Sequence, residues 1–229
     1  MFTGIVETTG EVVGVERTDD GRRLAVAAGD LDAGLHEGQS IGVSGACLTV
    51  ERHGDDVDLA SPASDGVTAA ADPDGDRSAG LFEVFLARET VEKTYLGDLG
   101  PGDAVNIERA MPADGRFDGH LVQGHVDTVA EVRGIDRVGE DWRFEFGLPE
   151  DVGRYVVRKG SIAVDGISLT VAERDADRFS VAIIPTTYDV TTLSEKAVGD
   201  PVHLETDVIA KYVENMLDGY VGGIGAGGV

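Results

Sequence analysis

The chain has 229 residues, with 19 Lys and Arg against 43 Asp and Glu, a formal net charge of −24. Such an excess excludes a nucleic-acid surface and an anionic-membrane surface, since both need basic patches. Hydrophobic residues make up 41% and Cys47 is the one cysteine, so the chain reads as globular, free of internal disulfides and long enough to bury its own core.

The opening MFTGIVETTG lacks the basic-then-apolar order of a secretory leader, and no stretch has the length of a membrane span. A cytoplasmic location is the expectation. The acidic residues are spread along the chain instead of blocked, which reads as a halophilic-type surface, adapted to a salt-rich cytoplasm where the repulsion is screened.

In chain order, short β-branched runs bounded by Gly, Asp and Pro predict strands at 5–16, 22–28, 39–51, 81–87 and 103–110. A second set follows at 126–136, 143–148, 160–173, 178–184 and 200–205. Short helical turns fit 30–38 and 149–160. Residues 53–80, rich in Asp, Ala, Ser and Gly, have neither a helical nor a strand period and read as an acidic loop insertion. The last element is DVIAKYVENMLDG, 207–219, whose apolar residues at 208, 209, 212, 213, 216 and 217 share one helical face. Asp207 suits its N-cap and Gly219 its stop, and 220–229 reads as a flexible tail. The helix is a candidate for oligomerisation, against packing on its own barrel.

The two strand sets are copies. GIVETTGEV at 4–12 matches GHVDTVAEV at 124–132, and SIGVSGACLTV at 40–50 matches SIAVDGISLTV at 161–171. Later, PGDAVNIE matches VGDPVHLE, pairing Gly102, Asp103, Val105 and Glu108 with Gly199, Asp200, Val202 and Glu205. The offset falls from 121 to 97, which places the insertion between Val50 and Val84 of the first copy. A tandem duplication of a strand-rich unit implies two small closed barrels. The expected divisions are 1–115, 116–206, 207–219 and 220–229.

MFTGIVE, the two S-x-x-x-x-G-x-[CS]-L-T-V segments, TYLGDLGPGDAVNIERA and DGHLVQGHVD together resemble the riboflavin synthase α-chain family. The resemblance covers nearly all of residues 1–210 outside the insertion. It implies an all-β fold of two tandem six-stranded Greek-key β-barrels with a C-terminal helix, three chains assembling through the helices. The reaction it implies is a cofactor-independent dismutation, with no metal. One 6,7-dimethyl-8-ribityllumazine gives a four-carbon unit to another, yielding riboflavin and 5-amino-6-ribitylamino-uracil. Each barrel is implied to hold one lumazine, with the active site between the first barrel of one chain and the second barrel of its neighbour. Association with a lumazine-making partner, lumazine synthase, stays open.

By the same resemblance, the first pocket comprises Phe2, Gly4, Ile5, Val6, Cys47, Leu48, Thr49, Phe85, Leu86, Ala87, Arg88, Glu89 and Thr90. The second comprises Gly124, His125, Val126, Ser168, Leu169, Thr170, Ala182, Ile183, Ile184, Pro185, Thr186 and Thr187, with Lys159 for the ribityl chain. Backbone groups at strand ends suit the donor–acceptor row of a pyrimidine edge, and the threonines add hydroxyls. Candidate catalytic residues are Ser40, Cys47, His125, Thr170 and Asp207. Cys47 and Ser168 hold equivalent positions, so one copy differs from the other where donor and acceptor roles must diverge. His125 replaces Ile5 of the first copy with a group that titrates near neutrality, whereas His120 is read as structural. Ser44 stands where the family often has Asn. A non-catalytic lumazine or flavin carrier of the same fold is the competing reading.

Overall fold

A computed structural model of the protein describes residues 1–31, 34–57 and 80–224. Most of the acidic insertion, and residues 225–229 of the expected tail, lie outside the described residues.

The first copy forms β1 (Thr8–Thr18), β2 (Gly21–Ala27), β3 (Ser40–Val43), β4 (Ala46–His53), β5 (Leu81–Ala87) and β6 (Ala104–Arg109). The second forms β7 (Thr128–Val138), β8 (Asp141–Gly147), β9 (Ser161–Val164), β10 (Ile167–Arg174), β11 (Arg178–Ile183) and β12 (Pro201–Thr206). The first closes in the order β1-β2-β5-β4-β3-β6, and the second repeats that cyclic order as β7-β8-β11-β10-β9-β12. Closure gives each of the described strands a partner on both sides along part of its length. Each barrel buries its own core, one around Leu24, Ile41, Phe82 and Ile107, the other around Phe144, Phe146, Ile162 and Phe179.

The run 39–51 divides into two strands because Ser44 and Gly45 adopt φ 42° and 84°, making a two-residue hairpin; Asp165 and Gly166 do the same at 47° and 79°. The two hairpin tips meet on the pseudo-twofold axis between the barrels. A Cβ on Gly45 would lie 2.6 Å from the Gly166 nitrogen, and one on Gly166 2.8 Å from the Gly45 nitrogen, so glycine is required on both sides.

A buried polar node follows the same symmetry. Asn106 of β6 accepts from the Thr192 N–H (2.8 Å) and donates to the Asp165 carbonyl (2.9 Å). His203, its counterpart on β12, accepts at Nε2 from the Tyr95 N–H (3.0 Å) and lies 2.7 Å from the Ser44 carbonyl through Nδ1. These partners require a neutral ring with its proton on Nδ1. The Asp165 carboxylate, itself 3.3 Å from Lys196, accepts from the His203 N–H at 2.7 Å, and the Tyr95 ring stacks on the imidazole at 3.9 Å.

Burial holds the His203 pKa below its usual 6.5, against the upward pull of Asp165. The unfolded chain therefore takes up a proton before the folded one does. Stability is undiminished above about pH 6.5 and falls as the pH drops toward the folded value. Since Asn106 does the same work without titrating, His203→Asn is expected to fold, losing about 1 kcal/mol of ring stacking at pH 7. Between pH 7 and 5 its thermal midpoint should fall less steeply than that of the parent. Parallel curves would contradict this assignment.

Among the described residues four α-helices complete the fold. The strands expected at 81–87 and 178–184 match β5, which ends at Ala87, and β11, which ends at Ile183; α1 (Arg88–Lys93) and α3 (Pro185–Asp189), not expected from the sequence, follow directly. Pro185 sits in the first turn, where its fixed φ and missing N–H favour a helix. Thr94 and Thr191 fold their hydroxyls back onto the Thr90 and Thr187 carbonyls, both at 2.6 Å. A single turn, α2 (Glu150–Gly153), precedes β9.

The C-terminal helix α4 (Val208–Ile224) runs past the expected stop at Gly219, which keeps helical backbone. A lone helical glycine costs only about 1 kcal/mol. Asp207 caps it through the Ile209 N–H at 2.9 Å. Polar side chains tie α4 to the second barrel: Lys211 to Asp127 at 2.6 Å, and Glu214 to Arg154 at 3.1 Å and to the Tyr155 hydroxyl. Ile209, Tyr212, Val213, Met216 and Leu217 are all at least half exposed. The helix is therefore attached to its own barrel by its polar face, and most of its apolar face is uncovered among the described residues.

Candidate functional site

Each barrel opens along one line. β4 pairs with β5 only from Val50 onward, after which a bulge between Val50 and Arg52 turns the strand. Cys47, Leu48 and Thr49 have no ladder partner in β5, and Leu86 and Ala87 pair only with β2. In the second barrel β10 pairs with β11 only from Val171, beside the matching bulge. Ser168–Thr170 pair with β9, and Ala182 and Ile183 with β8. Bulges re-aim strands near sites. Here they leave a slit between the L-T-V strand and its neighbour in each barrel, walled by strand backbone. Those walls are the segments singled out from the sequence.

Thr49 and Thr170 face outward into these slits and are exposed, while Leu48, Leu86, Leu169 and Ile183 point into the cores. The four apolar residues can offer a ligand only their backbone. Phe2, expected over a bound ring, is 1% exposed instead, packed in the seam between the barrels against Val122, Ala163, Cys47 and Ala110.

The grouping of pocket residues by chain half is corrected by the structure. The segments that lead into the barrels cross over. Phe2 and Val122 form a reciprocal bridge, at 2.8 and 3.1 Å. Beyond it, the Ser168 N–H donates to the Gly4 carbonyl at 2.7 Å, and the Cys47 N–H to the Gly124 carbonyl at 2.8 Å. Val6 packs on the second core and Val126 on the first. Gly4, Ile5 and Val6 therefore belong with Ser168–Thr170 and Ala182–Thr187, whereas Gly124, His125 and Val126 belong with Cys47–Thr49 and Phe85–Thr90. The matching repeats concealed this, because either pairing satisfies the same pattern.

Two buried carboxylates hold the crossings. Glu108 accepts from the Thr3 and Gly4 N–H groups and the Thr3 hydroxyl at 2.7–3.0 Å. Glu205 accepts from the N–H groups of Gln123, Gly124 and His125 at 2.7–2.9 Å. Burial pushes both carboxyls up from their usual range, and the surrounding donors pull them back. Sequence reasoning paired them as repeat positions but assigned them no role; the signal was a charged residue among the apolar positions of β6 and β12.

The two slits differ in chemistry. On the first barrel the exposed His125 follows Gly124, whose carbonyl accepts from the N–H of half-buried Cys47. Ser40 stands directly opposite Thr49 on β3, and it also lines a concavity of about 710 Å³ with Thr3, Ile5, Arg109 and Arg116. On the second barrel Ile5 occupies the place of His125, and His120 Nδ1 lies 2.7 Å from the Ser168 hydroxyl. Burial lowers the His120 pKa while the nearby Asp207 carboxylate raises it. Asp207 thus sits at the second slit, and Ser40 at the first, of the same chain. The exposed Lys159, at φ 69°, lines a separate groove of about 360 Å³ with Arg143, Arg158, Ser180 and Ala182.

A duplicated barrel with a backbone-walled slit in each half is the architecture of a lumazine-binding protein. The model of the Lumazine binding domain matches residues 3–110 and 123–207, one barrel each. Riboflavin synthase of Mycobacterium tuberculosis is 44% identical over 222 residues, covering 95% of this chain and 98% of that one. Those of Schizosaccharomyces pombe and Bacillus subtilis are 39% and 36% identical, over 96% and 95% of this chain and 96% and 90% of theirs. Among solved structures, LumP complexed with riboflavin superposes with a TM-score of 0.73 at 22% identity, covering 90% of this chain and 99% of LumP. LumP complexed with 6,7-dimethyl-8-(1'-D-ribityl) lumazine gives 0.72 at 21%, with the same coverage. The chain belongs to the lumazine-binding domain family and, within it, to the riboflavin synthases. It is an enzyme, a transferase.

Proposed function

We propose that the protein catalyses the dismutation of two 6,7-dimethyl-8-ribityllumazine molecules to riboflavin and 5-amino-6-ribitylamino-uracil. The observation that carries this reading is the pair of equivalent slits with unequal polar groups. Two identical substrates must bind alike and react in opposite senses. Repeated strand walls provide like recognition of the pyrimidine edge. His125 with Cys47 in one slit, and His120, Ser168 and Asp207 in the other, provide unlike chemistry. One lumazine loses a C7-methyl proton, and its carbanion attacks the activated C7 of the other. Holding the two rings in register contributes about 7–11 kcal/mol to such a bimolecular step.

The slits of one chain lie on different barrels, so the reacting pair forms between neighbours, the first slit of one chain facing the second of the next. Ser40 then meets the Asp207 of a neighbouring chain. The uncovered apolar face of α4 suits a homotrimer contact, and its polar ties to the second barrel keep it oriented for one. Lys159 extends from the second barrel toward a ribityl chain.

The test is incubation of the purified protein in molar KCl with the lumazine alone. Riboflavin should form at half the lumazine consumed, with no added cofactor. Tight binding with unchanged lumazine would overturn the reading in favour of a carrier.

A further inference from the structure

We propose that the groove beyond Lys159 is a phosphate seat, so that the second barrel binds a flavin phosphorylated at the end of its ribityl chain in preference to the unphosphorylated flavin. This rests on the reading that the second slit holds the ring and Lys159 the ribityl chain. What it adds is an anion site formed by Arg158, Arg143 and Ser180, which line the same groove.

The groove starts where the slit closes. Ala182 is exposed at the slit's end, and from Val181 onward β11 is paired with β10. Ser180 is the next residue to face outward, because its neighbours Phe179 and Val181 point into the core. A ribityl chain that leaves the slit past Lys159 therefore ends over Ser180. That serine is 2% exposed, and its hydroxyl has no hydrogen-bond partner. An unpaired buried hydroxyl is costly until a ligand or water satisfies it.

The first barrel has no such seat. Glu83 holds the position of Ser180 there, as a buried carboxylate 3.5 Å from Arg52 and 3.8 Å from Arg23. Glu37 and Gly38 stand where the second copy has Arg158 and Lys159. Lys159 keeps φ 69° against 80° for Gly38. Each donates its N–H to the same point of the L-T-V strand, Val171 at 2.8 Å and Val50 at 2.9 Å. The left-handed region disfavours any side chain, so the second copy carries a lysine where the backbone suits glycine. All three exchanges remove negative charge or add positive charge.

The cations are placed to share one anion. Arg158 Nε donates to the Ala172 carbonyl at 3.2 Å, which fixes the guanidinium. Among the described residues neither Arg158 nor Lys159 has an ion-pair partner. Two carboxylates, Asp141 and Glu173, also line the groove, and Glu173 is held by Arg143 at 2.8 Å. With three cations to two carboxylates the groove is locally positive in a chain of net charge −24. A fixed guanidinium, an ammonium and a hydroxyl match the acceptor oxygens of a phosphomonoester. A phosphorylated flavin seated there excludes lumazine from the second slit and inhibits competitively.

The net charge supplies the control. It repels a dianion, so a slit without a seat binds flavin mononucleotide more weakly than riboflavin. The experiment titrates both flavins by fluorescence quenching, at one fixed KCl concentration, into the parent, Arg158→Gln, Ser180→Ala, Gly4→Ala and Gly124→Ala. The parent's second site should bind flavin mononucleotide about 10-fold tighter than riboflavin, the scale of charge-assisted hydrogen bonds. Arg158→Gln should abolish that preference and Ser180→Ala reduce it about threefold, both leaving riboflavin affinity within about twofold of the parent's. Gly4→Ala, at the second slit, should lose the preference, and Gly124→Ala, at the first, should keep it. Phosphorus NMR gives a second readout: the bound phosphate should titrate below its free value of about 6, and return to it in Arg158→Gln. Flavin mononucleotide binding no tighter than riboflavin, a preference that survives Gly4→Ala, or an Arg158→Gln loss equal for both flavins would overturn the proposal. Failure of the parent to make riboflavin from lumazine, with the preference intact, would overturn the dismutase reading alone.

Discussion

Gly124→Ala is expected to lower the thermal midpoint by about 6–12 °C and to remove one of two ligand sites per chain. At φ +79°, a Cβ on Gly124 would lie 2.5 Å from Cys47 Cβ and 2.8 Å from the Cys47 nitrogen. The left-handed conformation alone costs an alanine about 1–2 kcal/mol, and overpacking a fixed contact adds about 1–3 kcal/mol. A total near 3 kcal/mol gives that midpoint shift in a chain of this length, at about 2–4 °C per kcal/mol. Neither neighbour yields easily, because the Cys47 N–H is bonded to the Gly124 carbonyl itself. Calorimetry reads the stability, and titration with riboflavin, the product of the proposed reaction, reads the stoichiometry. Gly4→Ala should do the same to the second slit, where the contact is Ser168 Cβ at 2.7 Å. A midpoint within about 2 °C of the parent's would show that the crossing is not what seats these segments.

The strands and the duplication were legible because each leaves a local mark: β-branched runs bounded by Gly, Asp and Pro, and the same L-T-V run twice; the S-G and D-G turns that divide 39–51 and 160–173 were read through. The crossing was not legible. An internal repeat states that two units are alike but not which copy of a segment packs on which barrel. His125 and Ile5 exchange slits without any change in the pattern. Phe2 is ambiguous for a related reason: an aromatic residue near a site serves equally as a ligand platform or as filler of the seam, and the sequence does not show that it is 1% exposed. His120 had no counterpart to be compared with, so its contact with Ser168 left no repeat signal. Helices α1 and α3 were missed because RETVEK and PTTYD are too short and too polar to show a helical apolar period. The polar face of α4 was readable as polar, but its anchoring by Asp127, Arg154 and Tyr155 depends on residues far away in sequence.

Glu205→Ala should destabilise the fold by about 3–5 kcal/mol, because it orphans three backbone donors at about 1–3 kcal/mol each, less what water recovers. That is a midpoint loss of about 10 °C at this chain length. The carboxylate gathers the N–H groups of three successive residues, Gln123 to His125. No side chain replaces it, and each orphaned buried donor costs about 1–3 kcal/mol unless water enters. Glu205→Gln keeps one acceptor oxygen but turns an amide NH2 toward N–H groups, so it should fall between the two. Glu108→Ala removes one backbone donor fewer, with a hydroxyl in its place, and its loss should be similar or smaller. Ligand binding locates this role. Glu205 seats the His125 segment on the first slit, so Glu205→Gln should weaken ligand binding there more than in the second. Chemical denaturation of the three variants, with riboflavin titrated onto the folded fraction, checks both halves. A Glu205→Ala midpoint equal to the parent's would mean that water satisfies the three donors and that the crossed segment is held by the Phe2–Val122 bridge instead.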